Sequence, residues 1–407
     1  MQLLLISLIT HHPHPVTGEK LSPAARLSQV VDSAVLAEEL GYDGFAVGER
    51  HEHPFLSSSP PVVLSNIAAR TSTINLWTGV TTLSLLDPVR AFEDYSTLDN
   101  LSGGRLRLII GKGNGAAQAK LFNVTPEDQW ARNREGCELF RELWESENVT
   151  WTGRFRPSLT DAVALPRPLQ PRLQIWHGSA TSKESVELAA QHGDPIFSAN
   201  VTNSIEPYAE LIRHYRTRWA EHGHDPEDAR VGAGTAGFHV AEKSQDALEA
   251  WRPNFEYRLE FARKTGLPVV FATYEDFVER SSALIGSPEQ VVDKVLRYHE
   301  QFGHHRRGTG AAEPVGGSRS GAVDRAVRRR RSRLGRVARL DRRVGCRRRR
   351  GASAIGCARD TRSRERCART LAPRARRRSI ASRKARPCAS GQPFRSLRRW
   401  HDGKQDS

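Results

Sequence analysis

The residues able to do chemistry in this chain fall in short polar segments, each directly after an apolar run. These segments are Thr10-His11-His12, Glu49-Arg50-His51, Gly79-Val80-Thr81-Thr82, Gly111-Lys112-Gly113-Asn114, His177-Gly178-Ser179, Ser198-Ala199-Asn200 and Phe238-His239. Glycine beside hydrogen-bonding groups lets a flat polar ring approach the backbone. His51 supplies an imidazole, a side chain suited to proton transfer. Gly178-Ser179-Ala180-Thr181-Ser182 leads into the start of a predicted helix. Backbone N–H groups and hydroxyls there suit a phosphate, and Thr181 or Ser182 serves equally as an ordinary cap. Gly111-Lys112-Gly113-Asn114-Gly115 lacks true G-x-G-x-x-G spacing, so it reads as a loop facing a bound ring and not as a dinucleotide fingerprint. His11 and His12 fit pocket lining and solvated loop equally. His51-Glu52-His53 resembles a metal pair, but no further ligands stand at useful spacing, so no metal is expected. Cys137 lies among apolar residues and reads as core.

The elements that must position these segments follow from periodicity. Leu3–Ile9 is a continuous apolar run, and Ala24–Leu40 places Leu27, Val30, Val31, Ala34, Ala37 and Leu40 on one helical face, stopped by Gly41. Strands are predicted at 45–47, 74–80, 105–110, 173–177, 195–199 and 231–240. Helices are predicted at 60–70, from Asp87-Pro88, and at 126–145, 182–191 and 205–222, with 244–284 largely helical. Ser287-Pro288-Glu289-Gln290 is a capping box that opens a last helix to about Phe302. Seven strand–helix units and a final helix predict an α/β (β/α)8 TIM-type barrel, whose chemistry sits at the C-terminal ends of its strands. A doubly wound sheet would want a glycine-rich loop after the first strand, and Thr10-His11-His12-Pro13 is not one.

Charge divides the chain. It has 407 residues and a net charge of +16, but residues 305–407 hold 31 Arg, 2 Lys and 7 acids, a sum of +26, which leaves −10 for residues 1–304. The global charge therefore says nothing about the first part. Only 12 of the last 103 residues are Ile, Leu, Val or Phe, too few for a core. The predicted organisation is a barrel over 1–303 and a disordered Arg-rich tail over 304–407. Arg runs such as 328–331 and 347–350 would suit a nucleic-acid-binding arm. The favoured reading is an out-of-frame translation of GC-rich codons. Arg replaces Lys almost wholly, and the switch falls where an eighth strand is due, so the barrel lacks a proper one. Only Cys137 lies in the first 304 residues, which fits a reducing compartment. The apolar N-terminus is short, without a basic segment or cleavage site, and no run reaches the length of a membrane span. A soluble cytoplasmic protein, with no membrane association, is expected.

Asp87-Pro88-Val89-Arg90-Ala91-Phe92-Glu93-Asp94-Tyr95-Ser96-Thr97-Leu98-Asp99-Asn100-Leu101-Ser102-Gly103-Gly104-Arg105 closely resembles the third helix and turn of the bacterial-luciferase-like flavin-dependent monooxygenases. Thr78-Gly79-Val80, Ile110-Gly111-Lys112-Gly113, Gly48-Glu49-Arg50-His51, Ala189-Ala190-Gln191-His192-Gly193-Asp194 and Ile285-Gly286-Ser287-Pro288 fit the same pattern, over about residues 1–303. The resemblance implies a (β/α)8 barrel that takes reduced FMN (FMNH2) from a separate flavin reductase. With O2 it would oxygenate a small organic substrate, and a homodimer is implied. It places Thr81, Gly111, Gly113 and Asn114 against the flavin, and Gly178, Ser179, Thr181 and Ser182 at its phosphate. His51 is implied as the catalytic group. It matches the second histidine of the His-His pair of luciferases, and Arg50 stands where the first would be, which argues against light emission. The alternatives are the deazaflavin F420, giving a hydride-transfer dehydrogenase, or nucleic-acid binding through the tail.

Limited proteolysis checks the tail reading: residues 305–407 are expected to be digested first, leaving a fragment that ends near Gly303. A protected C-terminal fragment would contradict it.

Overall fold

The computed structural model describes residues 2–113, 116–266 and 268–302. The expectations for Asn114, for the tail and for an eighth strand lie outside the described residues.

The first half alternates β1 (Leu4–Ser7), α1 (Pro23–Glu39), β2 (Gly44–Val47), α2 (Pro60–Ala68), β3 (Asn75–Thr78), α3 (Pro88–Ser102) and β4 (Leu106–Ile110). Next come α4 (Ala116–Leu121), α5 (Gln129–Glu145), a hairpin of β5 (Asn148–Trp151) and β6 (Leu159–Val163), and then β7 (Ile175–Ser179) and α6 (Lys183–His192). The rest is β8 (Ile196–Ser198), α7 (Glu206–Glu221), β9 (Val231–Ala233), β10 (Phe238–Val240), α8 (Ser244–Thr265), α9 (Tyr274–Arg280), β11 (Leu284–Gly286) and α10 (Pro288–Gln301). Seven parallel strands form one curled sheet in the order β1-β2-β3-β4-β7-β8-β9, with helices on its outer face. This is the TIM-type arrangement over seven strands.

Strand parity sorts the side chains. Leu4, Ile6, Ala46, Trp77, Ile109, Trp176 and Phe197 cluster on the concave face. Phe45, Val47, Leu76, Leu106, Leu108, Ile110 and Ile175 face the helices. Trp77 and Trp176 meet edge to face inside, with ring centroids 5.6 Å apart. Their size demands small neighbours. A Cβ at Gly44 would lie 2.6 Å from Trp77 Nε1, and one at Gly232 would lie 2.7 Å from Phe197 Cδ2.

Local signals set the helix ends. Asp87 accepts from the Val89 and Arg90 N–H groups, and Gly103 closes α3 at φ 66° in the left-handed region. Ser287 and Gln290 form the expected capping box. Cys137 is fully buried, and burial pushes its thiol up to about 11.

Three expectations need correction. The predicted strand 231–240 is two strands. After β9 the chain leaves the main sheet at Gly234–Gly237, where the Thr235 side chain bonds the Gly237 carbonyl at 2.7 Å, and β10 pairs with β11 instead. β11 lies between the predicted helical stretch 244–284 and the last helix, where periodicity predicts no strand; three residues carry too little of it to be seen. The helix predicted from Pro126 starts at Gln129, and the β5–β6 hairpin was not anticipated.

His177, predicted at a strand end, has the parity of Ile175 and points outward. It is buried, with Nε2 2.9 Å from Asp194 Oδ2, and Asp194 also pairs with Arg141. His192, the last residue of α6, lies beside this cluster. Burial, and then the Arg141 cation, hold it down to about 4. Unfolding restores its ordinary value of 6.5, so between pH 6.5 and 4 the unfolded chain binds a proton that the native chain refuses. Stability therefore falls as pH drops through that window. Urea unfolding is expected to lose on the order of 1–3 kcal/mol from this group between pH 7 and 4. In His192→Gln that component of the pH slope should vanish.

Candidate active site

At the C-terminal ends of five strands the inward position is glycine: Gly48 after β2, Gly79 after β3, Gly111 after β4, Gly178 in β7 and Gly234 after β9; after β1 and β8 it is Leu8 and Ala199. Four of them continue the parity of an interior residue with a side chain, Ala46, Trp77, Ile109 and Trp176, and Gly234 follows Gly232. A Cβ at Gly48 would lie 2.9 Å from the Gly79 carbonyl oxygen. Val80, which follows a cis Gly79–Val80 peptide, turns across this layer. A Cβ at Gly178 would lie 2.7 Å from Val80 Cγ1, and one at Gly111 would lie 3.1 Å from Val80 Cγ2. The space beside these two glycines is thus taken by Val80, so a ring seated there would meet Val80 and bare backbone. Gly113 has φ +76°, and a Cβ on it would lie 2.6 Å from Gln118 Nε2 and 2.9 Å from Thr82 Cγ2.

A buried polar chain backs this layer. Glu49 is 4 % exposed. Its Oε1 lies 3.1 Å from His51 Nε2, and its Oε2 accepts from the Thr82 N–H at 3.1 Å. The His51 ring stands edge-on to Phe122, with centroids 4.6 Å apart. Arg50 turns away from His51 toward Glu52 and lies over the Phe55 ring. Thr81 Oγ1 donates to Tyr95 Oη at 2.9 Å, and both residues are buried. Burial, reinforced by the Glu49 carboxylate, raises the Tyr95 pKa well above its ordinary value, so the phenol stays protonated. Thr81 also extends strand pairing past β3, donating its N–H to the Ile109 carbonyl at 2.7 Å.

The predicted phosphate residues divide. The Ser179 hydroxyl is buried and committed to the turn, donating to the Ser182 carbonyl and accepting from the Ser182 N–H, each at 3.0 Å. Ser182 stands at the N-cap of α6 without a side-chain capping bond, and its hydroxyl donates to Glu184 at 2.6 Å. Thr181 is exposed beside it. Glu184 places a carboxylate in the same first turn. The Ser182 hydroxyl, its own N–H and the Lys112 cation hold its pKa low. Lys112 Nζ lies 5.6 Å from the Trp130 ring centroid. At the end of β8, Asn200 sits at φ 46°, and its Oδ1 accepts from Ser198 Oγ at 2.7 Å. The buried Asn200 Nδ2 and Thr82 Oγ1 have no hydrogen-bond partner among the described residues.

Sequence reasoning missed Tyr95 as a member of the site and gave Glu49 a strand-end position without a role. Tyr95 was quoted only as part of a helix. Their signal is the strand-end position of Glu49 and the inward helical face shared by Ala91, Phe92, Tyr95 and Leu98. Among the described residues, no group of three or more His, Cys, Asp or Glu side chains could hold a metal ion.

These features define a TIM-like barrel with a side-chain-poor, polar-backed mouth. The chain belongs to the luciferase-like monooxygenases, whose family profile matches residues 1–305. It is 28% identical over 308 residues to 4-hydroxyprotoasukamycin monooxygenase of Streptomyces nodosus subsp. asukaensis, a match covering 71% of this chain and 81% of that protein. It is 32% identical over 166 residues to the F420-dependent glucose-6-phosphate dehydrogenase of Kineococcus radiotolerans, covering 39% of this chain and 48% of that one. Its fold is similar to the oxygenating constituent of 3,6-diketocamphane monooxygenase from Pseudomonas putida, solved with FMN. That comparison gives a TM-score of 0.60 at 19% identity and covers 82% of this chain and 96% of that one.

Removing the Glu49 acceptor tests the buried chain. Glu49→Ala leaves the Thr82 N–H without its partner in a dry site, and urea unfolding should show a loss of about 1–3 kcal/mol. Glu49→Gln keeps a carbonyl oxygen and should lose less.

Proposed function

We propose that this oxidoreductase of the luciferase-like family is a flavin-dependent monooxygenase that uses reduced FMN and O2 to oxygenate a small organic substrate. The observation that carries the reading is the glycine layer at the barrel mouth: a Cβ at Gly48, Gly111, Gly178 or Gly234 would crowd Leu8, Val80 or the Ala199 carbonyl, so these strand ends offer a ring backbone and Val80 in place of larger side chains. The unpartnered Thr82 hydroxyl and Asn200 amide supply polar atoms for a heteroaromatic ring. The exposed N-terminus of α6, with Thr181, Ser182 and nearby Lys112, suits the flavin phosphate. When bound, the reduced flavin supplies the electrons that activate O2.

The chain's own residues do the rest. Val80 and the glycine backbones orient the ring, and the surrounding apolar layer keeps water out. Glu49 holds His51 through Nε2, which leaves Nδ1 as the atom that accepts or gives up a proton during oxygen transfer. Tyr95, kept protonated, fixes Thr81 and with it the end of β3.

A flavin reductase as source of FMNH2, a homodimer and a cytoplasmic location belong to the same proposal. Among the described residues no helix is long and apolar enough to cross a membrane. F420 enters as the second reading through the dehydrogenase relative; with F420 the mouth would serve hydride transfer without O2. We also infer that residues 304–407 derive from an out-of-frame reading. β1 and β9 are the two ends of the described sheet, and an eighth strand would join them.

Spectrophotometric titration with FMN and with F420 separates the two cofactors. The expected result is FMN binding and faster O2 uptake when FMNH2 is supplied by an unrelated reductase; binding of F420 alone would move the assignment to a dehydrogenase. In His51→Ala, product formed per flavin oxidised should fall by about 10²-fold, with FMN affinity nearly unchanged. An unchanged ratio removes His51 from the mechanism. Restoring the other reading frame after codon 303 should yield an apolar strand and tighter flavin binding. Equal flavin binding by the 407-residue chain would show the tail to be native.

A further inference from the structure

Helix α4 follows β4 at the mouth and ends in a turn that sorts its side chains. The N–H groups of Phe122, Asn123 and Val124 fold back on the Ala119 and Lys120 carbonyls at 3.0–3.2 Å, and Asn123 takes φ 53° in the left-handed region. Val124 and Ala119 are thereby buried against Leu85. Leu121 and Phe122 are left outside, 68 % and 38 % exposed.

Phe122 differs from every other aromatic side chain among the described residues. The remaining phenylalanines, tyrosines and tryptophans are all buried or half-buried. Burying a phenyl ring is favourable, and a backbone turn that holds one in water forgoes that gain. The place where this happens is the candidate acid–base group. The Phe122 and His51 rings lie 4.6 Å apart with their planes at 69°, so they form an angled corner and not a stack. In that arrangement His51 covers at most one face of the phenyl ring, and the other stays open. The His51 side chain is itself 11 % exposed, so the corner is where this imidazole can be reached. Leu8 after β1 and Val201 after β8 are also exposed, at strand ends on the same side of the sheet. Apolar side chains offered to solvent around a functional group mark a ligand surface. A ring on that surface has an advantage over an aliphatic group, because offset-stacked and edge-to-face pairs gain about two- to tenfold in affinity beyond the apolar area they bury.

We infer that Phe122 is a specificity-determining residue whose ring packs against the organic substrate beside His51, so that the substrate class is aromatic compounds. This rests on the monooxygenase reading for what happens to the substrate, but not for its binding. A flat ring on Phe122 could also be that of the flavin, and the test separates the two sources.

The probes are 2-phenylethanol and its saturated isostere 2-cyclohexylethanol, both neutral, titrated into the full chain at pH 7 with binding followed by ligand NMR. The wild type is expected to bind the aromatic alcohol about two- to tenfold more tightly. Phe122→Leu keeps an apolar side chain without the ring and should abolish the preference, whereas Phe122→Trp should keep it. Equal affinities in the wild type, or an undiminished preference in Phe122→Leu, overturns the proposal. The titrations are repeated with FMN at saturation. A preference that persists supports a substrate role. A preference lost in the presence of FMN, or FMN affinity lost in Phe122→Leu, assigns the ring to the flavin and overturns the proposal. A shift from dimer to monomer in Phe122→Leu, read by sedimentation velocity, would assign the ring to an interface between copies and overturn it as well. Failure of FMN to bind the wild type counts against the cofactor reading alone, since the preference for the aromatic alcohol is first measured without flavin.

Discussion

Seven strands share one narrow interior, and two tryptophans occupy it. Trp77 and Trp176 meet edge to face at 5.6 Å, packed among Leu4, Ile6, Ile109 and Phe197. Gly44 beside Trp77 and Gly232 beside Phe197 are small because a Cβ would collide. Close packing of this kind has no slack, since protein interiors are as dense as organic crystals. With the bulk concentrated low in the sheet, several positions of the next layer can be glycine, and the mouth presents backbone and Val80 above a solid floor. Chemistry at the top of the barrel thus depends on packing below it.

Above that floor, order comes from buried polar bonds and not from bulk. Glu49 ties the end of β2 to the Thr82 N–H beyond β3 and holds His51 in the same grip. Thr81 and Tyr95 tie β3 to α3. Each bond adds only about 1 kcal/mol net, but a buried group left without its partner costs more, so the network specifies geometry more than it adds stability.

The fold is common to proteins of different chemistry, and what this chain does is decided by details of its mouth. Arg50 turns to Glu52 and Phe55 and leaves His51 as the single imidazole beside Glu49. Glu184 puts a negative charge into the helix start where Ser182 and Thr181 stand, so Lys112 matters there as its counterweight. Across the mouth, α8 brings Tyr257, Phe261 and Arg258 to the ends of β1 and β9.

Much of this was legible in the sequence because it is periodic or local. Apolar runs of period 2 and faces of period 3.6 count the strand–helix units, and the Asp87-Pro88 and Ser287–Gln290 caps mark helix starts. The glycines and polar groups at strand ends locate the mouth, since parallel barrels place their chemistry there. What the sequence could not decide is which way an individual side chain faces once neighbours compete for space. His177 looked like a mouth residue, but strand parity turns it outward to Asp194. Ser179 looked free for a phosphate, but the turn into α6 consumes its hydroxyl. Glu49 could be placed at a strand end, but not its partner, the N–H of Thr82, 33 residues away. The break of β9 from β10 and the pairing of β10 with β11 depend on partners more than 40 residues apart. Composition and period are properties of one segment, whereas orientation and bond partner are properties of two, and only the folded chain brings the second one near.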